Sequence, residues 1–567
     1  MVTNNAEKGT PVAHESPRAS SHEYVEDTTA LEVDNYHGLT LRTTLVYVAL
    51  CLQYFVQMFN VVGSGAFSRS IAASVGGSDK TVWLSQAIVI VTVVLGPPAS
   101  QAADYWGRKV FLVFGSAIGL IGALILSRAD TMGQAIAGQV VLGVLYIAQP
   151  ILIAVGSEIL PRRLRPLAQA GLNAGGALGA VTGLLAGSAL TANSLFGWRS
   201  YWYIIAALLG TSAATLVFLY RPLPRSLQQT LPFREKLARL DWIAYSLLPS
   251  GLTLFTMGLS WGDNPFPWTD AHVLGPLILG GGLFLALIAH QTFVKKDGLV
   301  HHDLFKKDRN FALALGCFFA DGMIFWSANN YYAFQVSVLY EDDTLLVNLH
   351  FCIAFFTGVI AAIMVGVIST FTKSIREPIV ASFLFLTLFF ALMATTTLSS
   401  ANAVWGYPVL LGIGLGWSLT YLITAAQLSA PPELIAITSG ILLSIRSLGG
   451  SIGLAIYTAI FNSSISTKIS SEVPAAVIPL GLPPQSVGAF IGALSANDEA
   501  AFSEIPGVTP EIIASGIHAL QEAYLQSFHR VWTAAAVLSG VTVLVSCFFI
   551  NPVGDLNNHV DAPLEED

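Results

Sequence analysis

Ionisable side chains in an apolar setting are where this sequence could do chemistry. Asp321 lies mid-way along one long hydrophobic stretch, in Phe319-Ala320-Asp321-Gly322-Met323, and Arg446 mid-way along another, in Ser444-Ile445-Arg446-Ser447-Leu448-Gly449-Gly450. Charges at such depth face a partner or a solvated path. The two are expected to pair, because a lone buried ion costs on the order of several kcal/mol. Such a pair reads in two ways. Asp321 exchanges a proton and Arg446 tunes it, or the pair is a fixed lock between helices. A second cluster, Asp104-Tyr105-Trp106-Gly107-Arg108-Lys109, is a short turn between two hydrophobic stretches. Gly107 lets the backbone turn tightly. Arg108 and Lys109 hold the turn on the cytoplasmic side, and Asp104 can pair with a base or face a neighbouring helix N-terminus. Glu158 ends a further stretch just before Arg162, Arg163 and Arg165, and reads as a gate carboxylate or a partner of those bases. These are the parts of a hinge and a charge relay, not of a catalytic centre. No nucleophile, metal-ligand spacing or cofactor motif accompanies them, so an enzyme is not expected.

The elements that must position these groups are membrane helices. The 567 residues are 54% hydrophobic and 11% charged, with a mean hydropathy of +0.64, against about 25% charged for soluble domains. An all-α polytopic membrane protein follows. At about 20 apolar residues per crossing there are about 14 spans: 43–66, 81–103, 110–128, 132–156, 166–190, 200–220, 242–261, 272–293, 311–338, 346–370, 378–399, 403–427, 435–461 and 529–550. Cys51, Cys317, Cys352 and Cys547 all fall within them and read as packing residues rather than a disulfide or metal framework. Residues 1–42 form a polar, acidic, disordered tail rather than a cleavable signal. No phosphate-binding Gly-x-x-x-x-Gly-Lys-(Ser/Thr) loop occurs, so ATP is not expected and any pumping must draw on a gradient, with protons suspected. No basic surface for nucleic acid is visible.

Charge bias orients the chain. With the N-terminus in the cytoplasm, the inner segments hold Lys8, Arg18, Arg42, Arg108, Lys109, Arg162, Arg163, Arg165, Arg221, Arg225, Arg234, Lys236, Arg239, Lys295, Lys296, Lys306, Lys307, Arg309, Lys373 and Arg376, against Arg69, Lys80, Arg128, Arg199, Lys468 and Arg530 outside. Both termini are therefore placed inside. The pattern also repeats: Gly175-Gly176-Ala177-Leu178-Gly179 matches Gly449-Gly450-Ser451-Ile452-Gly453. Each lies in the fifth helix of a six-helix group if the seventh and eighth spans are set aside. The expected organisation is a half at 43–220, a linker with two inserted spans at 221–310, and a half at 311–550 carrying a long external loop, 462–528, with short surface helices in it. An acidic, disordered cytoplasmic tail, 551–567, follows. The sequon Asn462-Ser463-Ser464 abuts a span and reads as an unmodified helix terminus. Polar and aromatic residues cluster on four spans: Gln53, Gln57 and Asn60; Gln139, Tyr146 and Gln149; Trp326, Asn329, Asn330 and Tyr331; and Trp417, Tyr421 and Gln427. Amides and rings suit a neutral, bulky, partly oxygenated organic substrate. Hydrogen bonding between helices is the competing reading for each residue alone.

The Asp104–Lys109 turn resembles the loop between helices 2 and 3 of major facilitator superfamily transporters, Gly-x-x-x-Asp-(Arg/Tyr)-x-Gly-Arg-(Arg/Lys), with Ser100 standing at the glycine. Fourteen spans resemble the drug:proton antiporter branch. The run Gly156-Ser157-Glu158-Ile159-Leu160-Pro161-Arg162-Arg163-Leu164-Arg165-Pro166-Leu167-Ala168-Gln169-Ala170, with Gly197-Trp198-Arg199 and the Arg446 segment, resembles fungal trichothecene-efflux-pump-like and siderophore transporters. The resemblance covers about 40–550. It implies two rocking halves with the first and fourth helices of each lining the cavity, which are the four spans just listed. It also implies Asp104, Gly107, Arg108, Lys109, Glu158, Arg162 and Arg163 as the inner gate. Two departures stand out. Gln139 occupies the place of an arginine in an Arg-x-x-x-Gly pattern tied to proton coupling, and the fifth helix lacks a Gly-Pro pair. Coupling would then have moved to Asp321 and Arg446, or be absent. The expected function is a monomeric, secondary active exporter of a fungal metabolite, mycotoxin or drug in the plasma membrane, the vacuolar membrane being the alternative. A siderophore-iron importer and a non-transporting receptor are the competing readings.

Overall fold

The computed structural model describes residues 39–564, apart from 78–79, 194–196, 225, 231, 263–265, 296–297, 342, 497–501 and 503–504. The N-terminal tail therefore lies almost wholly outside the described residues. Among the described residues the regular elements are helices, with two isolated β-bridges. The long ones are α1 (Leu41–Ala66), α2 (Val82–Trp106), α3 (Arg108–Ser127), α4 (Met132–Glu158), α5 (Arg165–Asn193), α6 (Gly197–Leu219), α7 (Trp242–Trp261), α8 (Ala271–Ala289), α9 (Asn310–Leu339), α10 (Thr344–Thr372), α11 (Arg376–Met393), α12 (Pro408–Ser429), α13 (Ile435–Val477) and α14 (Pro510–Ser546). Twelve segments among the described residues are long and apolar enough to cross a membrane. The exposed sides are greasy: Ile278, Leu285 and Ile288 of α8 stand outward, an arrangement suited to lipid rather than water.

The helices pack in two groups. In the first, α1 lies on α5 and α6, α3 on α4 and α6, and α2 on α4; in the second, α9 lies on α13 and α14, α10 on α12, and α11 on α12 and α14. The groups meet where α2 and α4 touch α13 and where α5 touches α10 and α12. Small residues set the closest crossings. A Cβ on Gly179 of α5 would sit 2.2 Å from the Phe55 carbonyl oxygen of α1, and one on Gly449 of α13 would sit 2.1 Å from that of Phe319 in α9. The two glycine runs noted in the sequence thus do the same work at equivalent crossings, each letting two backbones touch.

α7 and α8 pack on each other, and α7 also reaches α2 and α13. Asp241 anchors this pair. Its carboxylate caps α7 by accepting from the Ala244 N–H (3.1 Å), and it takes His290 Nε2 (2.9 Å), Gln291 Nε2 (2.5 Å) and the Leu299 N–H (3.1 Å) from the far end of α8. Such a cap satisfies backbone donors that lipid could not. In α4, a tightened turn at Val144–Ile147 precedes Pro150, whose ring and missing N–H disturb the preceding turn.

Three expectations need correction. The segment 462–528 is not mainly loop. α13 runs for 43 residues and α14 for 37, about 65 and 55 Å of helix against a hydrocarbon core of about 30 Å. Their projecting ends enclose a small core of their own with Val487–Ala496, formed by Val473, Val477, Phe490, Leu494 and Ile512. Asn462 accordingly lies inside α13, not at its end. Residues 551–564 are also not disordered: Leu556 is buried and the segment docks on the helix ends. Their acidity reflects an ion-pairing role that composition alone reads as a solvated tail.

Candidate functional site

One end of the bundle carries the basic loops. There Gly107, at φ +95°, turns the chain from α2 into α3, a conformation that favours glycine. The turn aims Arg108 inward, where it and its two acidic partners are buried. Its Nη2 meets Asp104 Oδ1 at 2.8 Å and its Nη1 meets Glu158 Oε2. Asp104 Oδ2 also accepts from the backbone N–H of Ile437, at 3.1 Å, in the first turn of α13. A carboxylate at a helix N-terminus is favoured by the helix dipole and the free N–H groups there. Asp104 therefore joins both helix groups. Lys109 Nζ instead donates to the Val217 carbonyl (2.8 Å) at the end of α6. Ser100, the departure from glycine, donates to the Pro97 carbonyl and packs on Gly440 of α13, where a Cβ would sit 2.3 Å from its Oγ. The small residue has moved across the interface.

Two of the bases that follow Glu158 meet an acid of the C-terminal segment. Arg162 Nη2 meets Asp561 Oδ1 at 2.6 Å and Arg165 Nη2 meets Asp561 Oδ2. Asp561 is fully buried at this contact. Arg165 Nη1 also donates to the Gln427 carbonyl (3.3 Å) at the end of α12. The backbone N–H groups of Arg162 and Arg163 donate to the carbonyls of His559 and Asn557. Burial pushes the Asp561 carboxyl up, but the Arg162 hydrogen bond and the charges of Arg165 and Arg162 hold it below the usual carboxylate range.

Deeper in, Arg446 Nε donates to Asp321 Oδ2 at 2.7 Å, and the Ser418 hydroxyl of α12 donates to Asp321 Oδ1 at 2.6 Å. Asp321 is fully buried, while the Arg446 side chain is 19% exposed. The guanidinium lies over Phe325, 4.8 Å from the ring centroid, and near Phe318 at 5.8 Å, contacts that favour a cation. Arg446 borders a cavity of about 110 Å³ between the two groups, walled by Thr92, Gly96 and Pro97 of α2, Tyr146, Gln149 and Pro150 of α4, Leu248 and Leu252 of α7, and α13 from Gly440 to Leu448. A shallow groove of about 540 Å³ on α14, at His529, Arg530 and Thr533, is lined by that helix alone and encloses nothing.

The other candidates divide. Tyr146 and Gln149 reach the cavity, and Gln149 lies beside Tyr54. Gln57 and Gln139 are buried with both amide atoms lacking a hydrogen-bond partner. Asn60 bonds Tyr146 (3.2 Å) and accepts from Trp202 Nε1 (3.0 Å), while the Tyr146 hydroxyl donates to the Gln57 carbonyl (2.8 Å). The rest knit helices together. Gln53 donates to Ser116 (2.8 Å), Tyr331 to Thr458 (3.1 Å), Trp417 to the Ala361 carbonyl (3.0 Å), Tyr421 to the Val365 carbonyl (3.0 Å) and Gln427 to Ser439 (3.0 Å). Trp326 and Asn330 stand exposed, the Asn330 side-chain amide donating to the Trp326 carbonyl, with Asn329 half-buried beside them. Asp241, Asp561, Ser418 and the two phenylalanines under Arg446 were not anticipated. The first had a legible signal, an acid directly before an apolar run.

Comparisons with known proteins identify the family and the fold. The chain is 23% identical over 540 residues to the trichothecene efflux pump TRI12 of Fusarium sporotrichioides, covering 92% of this chain and 88% of that one. It is 25% identical over 422 residues to the efflux pump FUS6 of Gibberella fujikuroi, covering 73% and 74%. The human organic anion transporter MFSD10 superposes with a TM-score of 0.54 at 11% identity, over 89% of this chain and 98% of that one, which shows the major facilitator fold. The family model described as fungal trichothecene efflux pump matches residues 8–564. That match spans nearly the whole chain, which belongs to this family of major facilitator efflux transporters.

Proposed function

We propose that this chain exports an uncharged, oxygenated organic molecule of the fungal metabolite or toxin class by alternating access, driven by a proton gradient. The observation that carries this reading is the cavity between the two helix groups, walled by Tyr146, Gln149 and Arg446 with Asp321 behind it. The unpartnered amides of Gln57 and Gln139 support an oxygenated ligand, since each offers a donor and an acceptor. Asp321 and Arg446 are the coupling pair. The gate comprises Asp104, Gly107, Arg108, Lys109, Glu158, Arg162 and Arg163.

The halves are 43–220 and 311–550, with the α7–α8 pair inserted between them. α2 and α5, at 25 and 29 residues, are long enough to span, and with them the crossings number 14. The basic loops face the cytoplasm, as do both termini, and the protein acts as a monomer in the plasma membrane. The test is accumulation of a labelled trichothecene in a toxin-sensitive yeast expressing the chain, with and without a collapsed proton gradient. Lowered, gradient-dependent accumulation is expected. Unchanged accumulation together with ferric-siderophore uptake and rescue of growth on low iron would replace export by import.

A further inference from the structure

Residues 551–564 cross from one helix group to the other. They leave α14 and are first fixed to their own group: Asn551 Oδ1 accepts from the N–H groups of Ile375 and Arg376 at 2.9 and 2.8 Å, Asp555 takes Lys307 at 2.9 Å, and Leu556 is buried in the main core. The next residues belong to the other group. The carbonyls of Asn557 and His559 accept from the N–H groups of Arg163 and Arg162, the Ala562 N–H donates to the Glu158 carbonyl at 3.0 Å, and Leu564 bridges to Pro222 beyond α6. Asp561 sits fully buried between Arg162 and Arg165.

We propose that this segment is a strap that holds the basic face of the transporter shut, so that its release from the α4–α5 loop is a required step in opening to that side. The proposal rests on the alternating-access reading. Contacts made within one half ride with it during rocking, but contacts from 557 to 564 are made to the other half and must break when the two separate. The occupant fits the cradle chemically. Two guanidinium groups that meet Asp561 need an anion once water is excluded, and the backbone donors of a short 3-10 turn, Arg162–Leu164, need carbonyls. The strap also reaches Glu158, the residue that Arg108 holds, so it buttresses the gate directly.

The test uses the full chain with its four native cysteines replaced by alanine and one probe, Ala436→Cys. Ala436 is buried against Ala154 of α4 at the seam between α4 and α13. Labelling by a membrane-impermeant maleimide reports opening of that seam. Asp561→Ala, and separately truncation after Leu556, should each raise the labelling rate about tenfold. A synthetic peptide of residues 554–567 should return the truncated protein to the intact rate, which a merely misfolded protein would not allow. Arg108→Ala, with the strap intact, opens the gate directly and serves as the second arm. If Arg108→Ala raises labelling but neither strap variant does, the strap proposal is overturned alone. If none of the three raises it, alternating access at this seam is overturned as well.

Discussion

The Asp321–Arg446 pair is the most direct place to test the reading. Asp321→Asn keeps the shape and the Ser418 hydrogen bond but removes one charge. Two unit charges about 4 Å apart attract by about 4 kcal/mol at an effective dielectric near 20. Part of this is recovered, because the Arg446 side chain is 19% exposed and rests on two rings. A net loss of about 2–3 kcal/mol is therefore expected from leaving the guanidinium with a neutral partner. Arg446→Gln alone should cost a comparable amount, since it strands the carboxylate. The double variant Asp321→Asn/Arg446→Gln should cost less than the sum by about 1.5 kcal/mol or more, because neither ion is then left behind.

Unfolding of the purified protein in detergent, run as a double-mutant cycle, measures this. Additivity within about 0.5 kcal/mol would refute a coupled pair. Transport separates the two roles of the pair. If Asp321 carries the exchanged proton, Asp321→Asn flattens the pH dependence of efflux in proteoliposomes. A destabilised variant that keeps its full pH dependence would leave the pair as a helix lock and sink the coupling role.

Gln57→Leu and Gln139→Leu remove buried amides that have no partner, so stability should hold or rise by up to about 1–3 kcal/mol while transport of an oxygenated substrate falls. Unimpaired transport would remove both from the site. Gly107→Ala forces a side chain to φ +95° and should lower stability by about 1–3 kcal/mol. Trimming the neighbouring Gln228 to alanine should not rescue it, because the penalty is backbone strain and not the flexible amide 2.6 Å from the new Cβ. The Asp561 carboxyl is held low by Arg162 and Arg165, so strap docking should be fully present above the ordinary Asp value of about 3.9 and lost only as pH falls through the lowered one. Peptide 554–567 should therefore bind the truncated protein equally between about pH 5 and 8. A loss of binding within that range would refute the assignment of docking to the Asp561 carboxylate.

Much of this fold is legible in the sequence because lipid permits few alternatives. An uninterrupted apolar run long enough to cross must be helical, so α1, α3, α9 and α11 can be read off hydropathy. The pairing of Asp321 with Arg446 is legible for the same reason: neither ion has another sensible place to go. The outer ends of α13 and α14 are not, because Ser463 to Glu472 and Glu511 to Glu522 lose their apolar character while keeping the helix. Hydropathy marks where the membrane stops, not where the helix does. Nor was the fate of the amides legible. Gln53 and Gln57 sit one turn apart on α1, yet Gln53 finds Ser116 and Gln57 finds nothing. That difference lies in the neighbouring helix, which local spacing cannot supply. The docked tail was hidden by its composition. Asp561 reads as one acid among several until the buried Arg165 and the half-buried Arg162 demand a partner.

On the alternating-access proposal, the contacts tying the two helix groups at the basic face set how the transporter divides its time. Asp104 on the Ile437 N–H, Arg165 on the Gln427 carbonyl and Asp561 between two guanidinium groups each cross the interface. Hydrogen bonds to charged groups contribute about 1.5–3 kcal/mol each, so three together come to about 4.5–9 kcal/mol, comparable to the roughly 5.5 kcal/mol that separates a 1:99 from a 99:1 population, before water re-solvates the freed groups. Re-solvation is available at this face, which is why opening is feasible there and why the net cost is smaller than the sum. A ligand can shift the balance only by its differential affinity for the two states. Removing one tie should then change the open population by about tenfold to a hundredfold, whereas a substitution on the lipid side of α8, such as Leu285→Ala, should leave it unchanged because Leu285 crosses no interface. Equal effects of the two on seam labelling would mean that general stability, and not these three ties, governs the equilibrium.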